Sequence, residues 1–504
     1  MNERKKGIII SYINIILHAL LGFAYVPILL HYIGKSEYGL YQLIGSMIAY
    51  FNIMDFGLTA AVVRFYSKYK ALEDHISMEN ILAIAMRVYA VITVLLLCIG
   101  SVCYYYMPIF FVNSMTSNEL ASAKKLFLLL LFNIVITISA MIFRAVINAN
   151  EKYFFLKGME TIQLVLQPVI VVIALQQSPS AFTVAVVQTI LNICLICMRI
   201  YYCFKVLKVK ICYHFWDGEL FSEFKRLALS VFVVTLIDQI FFKTNQVILG
   251  YFSGTSSVAV YSVSTLIYMN YMSISLAISS VYLPHITAIV TNNKDRSKLS
   301  DLFINIGRVQ YYILALVGSG FIIFGKQFIR MWAGDTFIDS YYITLFIILP
   351  FTIDLIQNIG LSIMQAMNKY DFRAKVYFFM GIFNLGLAIP LAKAYGGVGC
   401  AFATGLSMFI GNGLIMNWYY AKVIGLDITC FWKVIGKITF TIVIITSIGY
   451  ICNNMILTQS GKAIFLMEIL AYTVIYSLAI YNICMNKEEK AKIRGAFSKV
   501  LLSK

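Results

Sequence analysis

Charge is scarce in this chain. Asp, Glu, Lys and Arg make up 12% of its 504 residues, while 61% are hydrophobic. Soluble domains carry about 25% charge and roughly half apolar residues or fewer, so a soluble globular fold is excluded. Chemistry-bearing signatures are also missing. The chain has no P-loop for ATP and no D-x-D metal pair. The connections between apolar runs are too short to hold a catalytic domain. These absences argue against a membrane polymerase or glycosyltransferase, and the chain is read as a non-enzyme without cofactor or metal site. The ten cysteines form no framework. Cys194 and Cys197 make a lone C-x-x-C inside an apolar run, which suits buried structural thiols better than zinc or redox chemistry.

What the chain does have is apolar length. It divides into about fourteen runs of some 20 residues, the length that crosses about 30 Å of hydrocarbon. The runs predict an all-α integral membrane protein. The first run is too long for a cleavable signal peptide and lacks a small-residue cleavage pattern, so it reads as a retained helix. Basic clusters such as "NERKK" at the start, "KVLKVK" near 205 and "KEEKAKIRGAFSK" at the end fall on one side of the alternating spans. By the positive-inside rule both termini are expected in the cytoplasm. The net charge of +17 is then mostly topology plus attraction to anionic membrane lipids, with no nucleic-acid partner implied.

Two short strings suggest an internal duplication. "INANEKYFF" (147–155) and "MQAMNKYDF" (364–372) match at Ala, Lys, Tyr and Phe. "HYIGKSEYGLYQL" (31–43) echoes "GYFSGTSSVAVYSV" (250–263) with one insertion. Six spans separate the copies, so a parallel repeat is expected. That predicts an N-terminal lobe over 1–210, a C-terminal lobe over 211–425, and two extra helices with a basic tail over 426–504. Doubled architecture of this kind belongs to transporters, whose substrate site lies between the repeats.

Polar side chains inside the spans mark candidate sites, because a charge at mid-bilayer costs about 2.5–3.5 kcal/mol on the insertion scale. Asn14 and His18 share a stripe of the first span, and His18 is weighed between a satisfied interior histidine and a protonation site. Arg144 lies on a stripe of the fourth span and Glu160 on one of the fifth. The two are symmetric about the turn near Lys152, which favours a structural ion pair. Asp238 and Lys243 lie on separate stripes of the seventh span, and Asp354 on one of the tenth. So many stripes suggest a wet interior cavity. Asp55, Asp238 and Asp354 are the acids on which H+ or Na+ could travel, and coupling stays open.

The stretch Tyr50–Tyr69 places an acid and a base in one apolar run. Asp55 and Arg64 are nine residues apart. On a continuous helix they would lie on opposite faces and about 13 Å apart along the axis. Gly57, Ala60 and Arg64 would share a small-residue face suited to close packing.

"MDFGLTAAVVRFYSKY" (54–69), following "YIGKSEYGLYQL" (32–43), resembles the Wzx-type oligosaccharide flippases. These are polysaccharide-biosynthesis proteins of the MOP exporter superfamily, which also holds lipid II flippases and MATE drug exporters. Gly34, Tyr38, Gly39, Asp55, Gly57, Leu58 and Arg64 carry the resemblance, with "NANEKY" near 148 and "YGGVG" near 395. It implies alternating access around a central cavity. It also implies translocation of an undecaprenyl-diphosphate-linked oligosaccharide to the outer leaflet of a bacterial plasma membrane, for capsule-like or O-antigen-like polymers. Polymerase and glycosyltransferases of the same pathway would be partners. Arg64 is the residue carried over as diphosphate contact, with Lys243, Arg144, His18 and Asn14 as further cavity candidates. The basic triplet expected of lipid II flippases in spans 1, 2 and 8 is not clear here: the first span offers His18, and the eighth has no Lys or Arg. The alternatives are a lipid II flippase and a MATE-like cation-coupled multidrug exporter.

Overall fold

The computed structural model describes residues 3–215, 218–292, 296–367, 369, 371–456, 461–491 and 494. Every regular element among them is helical. In order they are α1 (Glu3–Ala49), α2 (Leu58–Ala71), α3 (His75–Phe111), α4 (Ser117–Ser139), α5 (Met141–Ala149), α6 (Tyr153–Gln177), α7 (Ala181–Tyr201), α8 (Gly218–Asn292), α9 (Arg296–Trp332), α10 (Asp339–Leu355), α11 (Asn358–Ala366), α12 (Asp371–Met408), the single turn α13 (Asn417–Tyr419), α14 (Ile428–Ile456) and α15 (Lys462–Ala479). An all-helical answer is what lipid requires, since a helix satisfies its own backbone where no water can.

Among the described residues, 11 helical stretches are long and apolar enough to cross a membrane. Three of them run for 55, 45 and 54 residues, more than twice the roughly 20 residues of one crossing. Each contains a glycine outside helical geometry: Gly34 (φ 74°), Gly254 (φ 75°) and Gly396 (φ 57°). The structure thus shows eleven candidate stretches among the described residues, three of them long enough for two crossings. At Gly254 a side chain is doubly excluded. The left-handed φ disfavours it, and a Cβ would stand 2.8 Å from Ser114 O. Loop polar groups fix several helix starts. Thr116 and Glu119 form a reciprocal capping box on α4. The Asp74 carboxylate accepts from Ser77 N at 3.0 Å at the start of α3. Hydrogen bonding from Ser77, side chain and backbone, lowers the Asp74 pKa.

The duplication is written in the backbone. α5 and α11 are nine residues each, and α11 begins 217 positions after α5 (141 to 358). The residue before each leaves the helix the same way, Ala140 at φ −95°, ψ 0° and Gln357 at φ −104°, ψ 7°. Lys152 N donates to Ile147 O at 3.2 Å, and Lys369 N to Met364 O at 2.8 Å. Phe155 stacks on Tyr202, and 217 positions later Phe372 stacks on Tyr419, both with centroids 3.9 Å apart. Asn368 and Tyr370 of the matching string lie outside the described residues.

The chain forms two compact units: residues 1–266 with 385–400, and residues 267–384 with 401–504. The sequence-based lobes follow the repeat instead, and they remain our proposal for how the duplication is organised. In the first unit α1 packs along α6, with α3 on α4 and α2 on α5. In the second, α14 and α15 pack on α9 around a core that includes Tyr312, Phe324, Ile438, Phe465 and Tyr472. Tyr476 OH donates to Tyr312 O at 2.8 Å and Tyr472 OH to Ser319 Oγ at 2.6 Å. Both units turn large apolar side chains outward, among them Val94, Ile173, Phe379 and Leu470, as a lipid-facing surface does.

Candidate functional site

Several polar groups within the spans are joined helix to helix. Asn14 Nδ2 on α1 donates to Thr161 Oγ1 on α6 at 3.0 Å. Asn133 and Thr137 on α4 meet Thr189 and Asn192 on α7. Gln246 bonds Ser46 and Ser262, and Asn358 Nδ2 donates to Ser275 Oγ at 2.9 Å. In lipid such bonds are glue between helices. The stripes therefore do not all line a wet cavity, because much of their hydrogen-bonding capacity is used in packing.

The stretch around Asp55 is not a continuous helix. Residues Tyr50–Asp55 form a 3-10 turn, Phe56 (φ 48°) and Gly57 (φ 70°) are left-handed, and α2 begins at Leu58. The opposite-face, 13 Å geometry expected of Asp55 and Arg64 rested on an unbroken helix and does not hold. The physical cause is Gly57, whose lack of a Cβ lets the chain enter left-handed space. The break aims Asp55 sideways. Its Oδ1 accepts from Thr59 Oγ1 at 2.9 Å and from Tyr89 OH at 2.8 Å. Arg64 projects outward from α2, with its guanidinium 5.8 Å from the centre of the Phe65 ring. It forms no ion pair among the described residues.

Beside this break the first unit is hollow and apolar. Cavities of about 710 and 520 Å³ share Met47, Cys103 and Val247. The smaller also touches Tyr50, Phe56 and Phe232. Such walls accommodate hydrocarbon, not an unaccompanied ion.

Charge gathers around Glu160. Its Oε1 takes Arg144 Nη2 at 3.1 Å and Arg199 Nη2 at 3.3 Å, while Oε2 takes Lys157 Nζ at 2.9 Å. The side chain of Arg199 is 12% exposed and that of Arg144 43%. Three cations share one carboxylate, which leaves two positive charges in excess. Sequence reasoning found Arg144 and Glu160 but missed Lys157 and Arg199. The i, i+3 spacing of Lys157 and Glu160 was the available signal. Lys70 Nζ, bonded to Asn150 Oδ1 at 2.6 Å, adds another cation near the α5–α6 turn.

The remaining candidates lie apart from this cluster in the chain. His18 is exposed on α1, Asp238 is exposed on α8, and Lys243 is half-buried. In the second unit Asp354 is buried. Its Oδ2 accepts from Tyr377 OH at 3.2 Å, and Tyr377 OH accepts from Arg373 Nη2 at 2.8 Å. No group of three or more metal-ligating side chains occurs among the described residues.

Known structures share this fold. The lipid II flippase MurJ in an inward closed conformation aligns over 94% of this chain and 97% of its own, at TM-score 0.73 and 18% identity. An inward-facing MATE-family multidrug resistance transporter of the MOP superfamily aligns over 82% of this chain and 96% of its own, at TM-score 0.65 and 11% identity. In sequence, a Shigella flexneri protein named "Putative O-antigen transporter" is 20% identical over 404 residues, covering 77% of this chain and 91% of that protein. Residues 4–290 match the family described as polysaccharide biosynthesis protein, more than half of the chain, and the chain belongs to that family.

Proposed function

We propose that this multi-pass membrane protein is a flippase, not an enzyme. It moves a lipid-linked oligosaccharide, carried on undecaprenyl diphosphate, from the inner to the outer leaflet of a bacterial plasma membrane for surface polysaccharide synthesis. Family membership supports the pathway, and the similarity to an O-antigen transporter supports the cargo. The observation in the structure that carries the reading is the uncompensated charge: two positive charges in excess around Glu160, and Arg64 without an ion-pair partner among the described residues. A diphosphate diester brings about two negative charges, and arginine offers it paired, charge-assisted bonds. A sugar-diphosphate head cannot cross hydrocarbon unaided, since bare charge transfer costs tens of kcal/mol by Born estimates. The prenyl tail needs no polar path and can remain against apolar walls.

In this reading both termini are cytoplasmic, and α2 and the α5–α6 turn face the compartment where the substrate is made. The two lobes work by alternating access. H+ or Na+ coupling through Asp55, Asp238 or Asp354 belongs to the same proposal, as does supply and consumption of substrate by glycosyltransferases and a polymerase. Reconstituted flipping of a lipid-diphosphate oligosaccharide, measured beside efflux of cationic dyes from the same vesicles, tests it. Sugar-lipid flipping without dye efflux supports the flippase. Dye efflux alone replaces it with the multidrug exporter.

A further inference from the structure

The second unit holds an acid that none of this uses. Glu468 lies a turn and a half into α15, about 9 Å from its start at 1.5 Å per residue. Neither Glu468 Oε1 nor Oε2 has a donor among the described residues, although both atoms are buried. Asn453, near the end of α14, is in the same position: its Nδ2 donates to Ile323 O at 3.4 Å, and its Oδ1 has no donor. Both residues line one cavity of about 280 Å³ between α9, α14 and α15. Its other walls include Phe324, Ile445, Ile448 and Ile475. Ile448 is 57% exposed and Ile475 59%, so the cavity opens through the lipid-facing surface.

A carboxylate without a donor in apolar surroundings is costly unless something compensates it. Three acceptors without a donor among the described residues converge on the cavity. Hard cations such as Mg2+ or Ca2+ take six or more oxygen ligands, twice what is offered. An ammonium group brings three N–H donors and one positive charge. The site lies toward the end of α14 and the start of α15, the level at which a membrane span reaches the headgroup region. Below it the wall is hydrocarbon. We propose that this cavity binds a phospholipid with a primary-amine headgroup, its ammonium on Glu468 and Asn453 and its upper acyl chain along Ile448 and Ile475.

The test uses the full-length purified protein and native mass spectrometry with three added phospholipids of matched chains. Phosphatidylethanolamine has the ammonium, phosphatidylcholine replaces its N–H groups with methyls, and phosphatidylglycerol has no cation. Charge-assisted hydrogen bonds predict about tenfold stronger retention of phosphatidylethanolamine over phosphatidylcholine. Glu468→Gln keeps the shape and is expected to abolish that preference, while Asn453→Ala lowers it by a smaller factor. Unchanged thermal melting of both variants shows that the fold is intact. If Glu468→Gln does not fold, Asn453→Ala decides. Equal retention of the three lipids, or a preference that survives both substitutions, overturns the proposal. Displacement of the lipid by millimolar free ethanolamine assigns the site to small amines and overturns its lipid character.

Discussion

Gly39 and Thr255 touch backbone to backbone. A Cβ built on Gly39 would stand 1.9 Å from Thr255 O and 2.6 Å from its carbonyl carbon. The contact joins the two stretches that echo each other in sequence, 31–43 and 250–263. Ser36 and Thr255 both donate to Glu119 there. Because the neighbour is backbone, it cannot swing aside. Gly39→Ala should lower thermal stability by about 1–3 kcal/mol through overpacking. Gly45→Ala, with nothing within 4 Å of the added carbon, should be silent. Melting of the two purified variants checks this, and equal melting temperatures would show that the helices separate freely.

The Glu160 cluster makes an unequal prediction. Removing the anion leaves three cations facing each other, so Glu160→Gln should cost more than Arg144→Gln, whose side chain is partly solvated. Arg199 is the more buried partner. Losing it leaves Glu160 still paired with Arg144 and Lys157, so Arg199→Gln should cost less than Glu160→Gln, which leaves the cations uncompensated. The Arg199→Gln/Glu160→Gln double variant should lose less than the sum of the singles. Strict additivity in that cycle would reduce the cluster to independent surface charges.

Arg64 separates phosphate recognition from topology. If it grips diphosphate with two bonds, Arg64→Lys should insert normally yet flip at least several-fold more slowly, because a point charge does not reproduce the planar fork. Arg64→Gln should be slower still. Flipping normalised to membrane protein is the readout. Full activity in both variants would leave Arg64 as an anchor and move the phosphate role to Arg144 or Lys243.

The repeat predicts matched costs. Phe155→Leu and Phe372→Leu each remove one member of a stacked pair with the same centroid separation. Each should lose about 0.5–1.5 kcal/mol beyond the change in buried area, and the two losses should agree within a factor of about two. Chemical denaturation of the two variants would show whether the second copy depends on its pair as the first does.

Orientation has its own check. In a cysteine-free background, a cysteine at Ser178 should react with an impermeant thiol reagent from outside the cell, and one at Leu72 should not. Both positions are exposed between helices. The reverse pattern would invert the topology.

Much of this was readable from the chain because lipid imposes a coarse rule: apolar length dictates helices. The duplication was readable from two strings since its backbone turn at 147–155 needs those residues to end one helix and start the next. The break at Phe56 and Gly57 was not, because a glycine inside an apolar run is also tolerated in an unbroken membrane helix. Lys157 and Arg199 escaped for another reason. Basic residues near span ends already have an explanation in the positive-inside rule, so their convergence on Glu160 appears only in three dimensions. Glu468 was hidden similarly, as a single acid near the start of a span.

The spacing of 217 makes the second half a template for the first. Positions 144, 157, 160 and 199 correspond to Leu361, Ala374, Tyr377 and Met416. The same corner of the fold thus exists twice in one polypeptide, once charged and once without a charge at these four places. Position 160 and its counterpart 377 are polar hubs in both, the first as a carboxylate shared by cations and the second as a phenol between Arg373 and Asp354. The four charges are therefore particular to the first copy, and the second closes the same corner without them. Natural variation at these positions should be free to follow the cargo while the repeated turn beside them stays fixed.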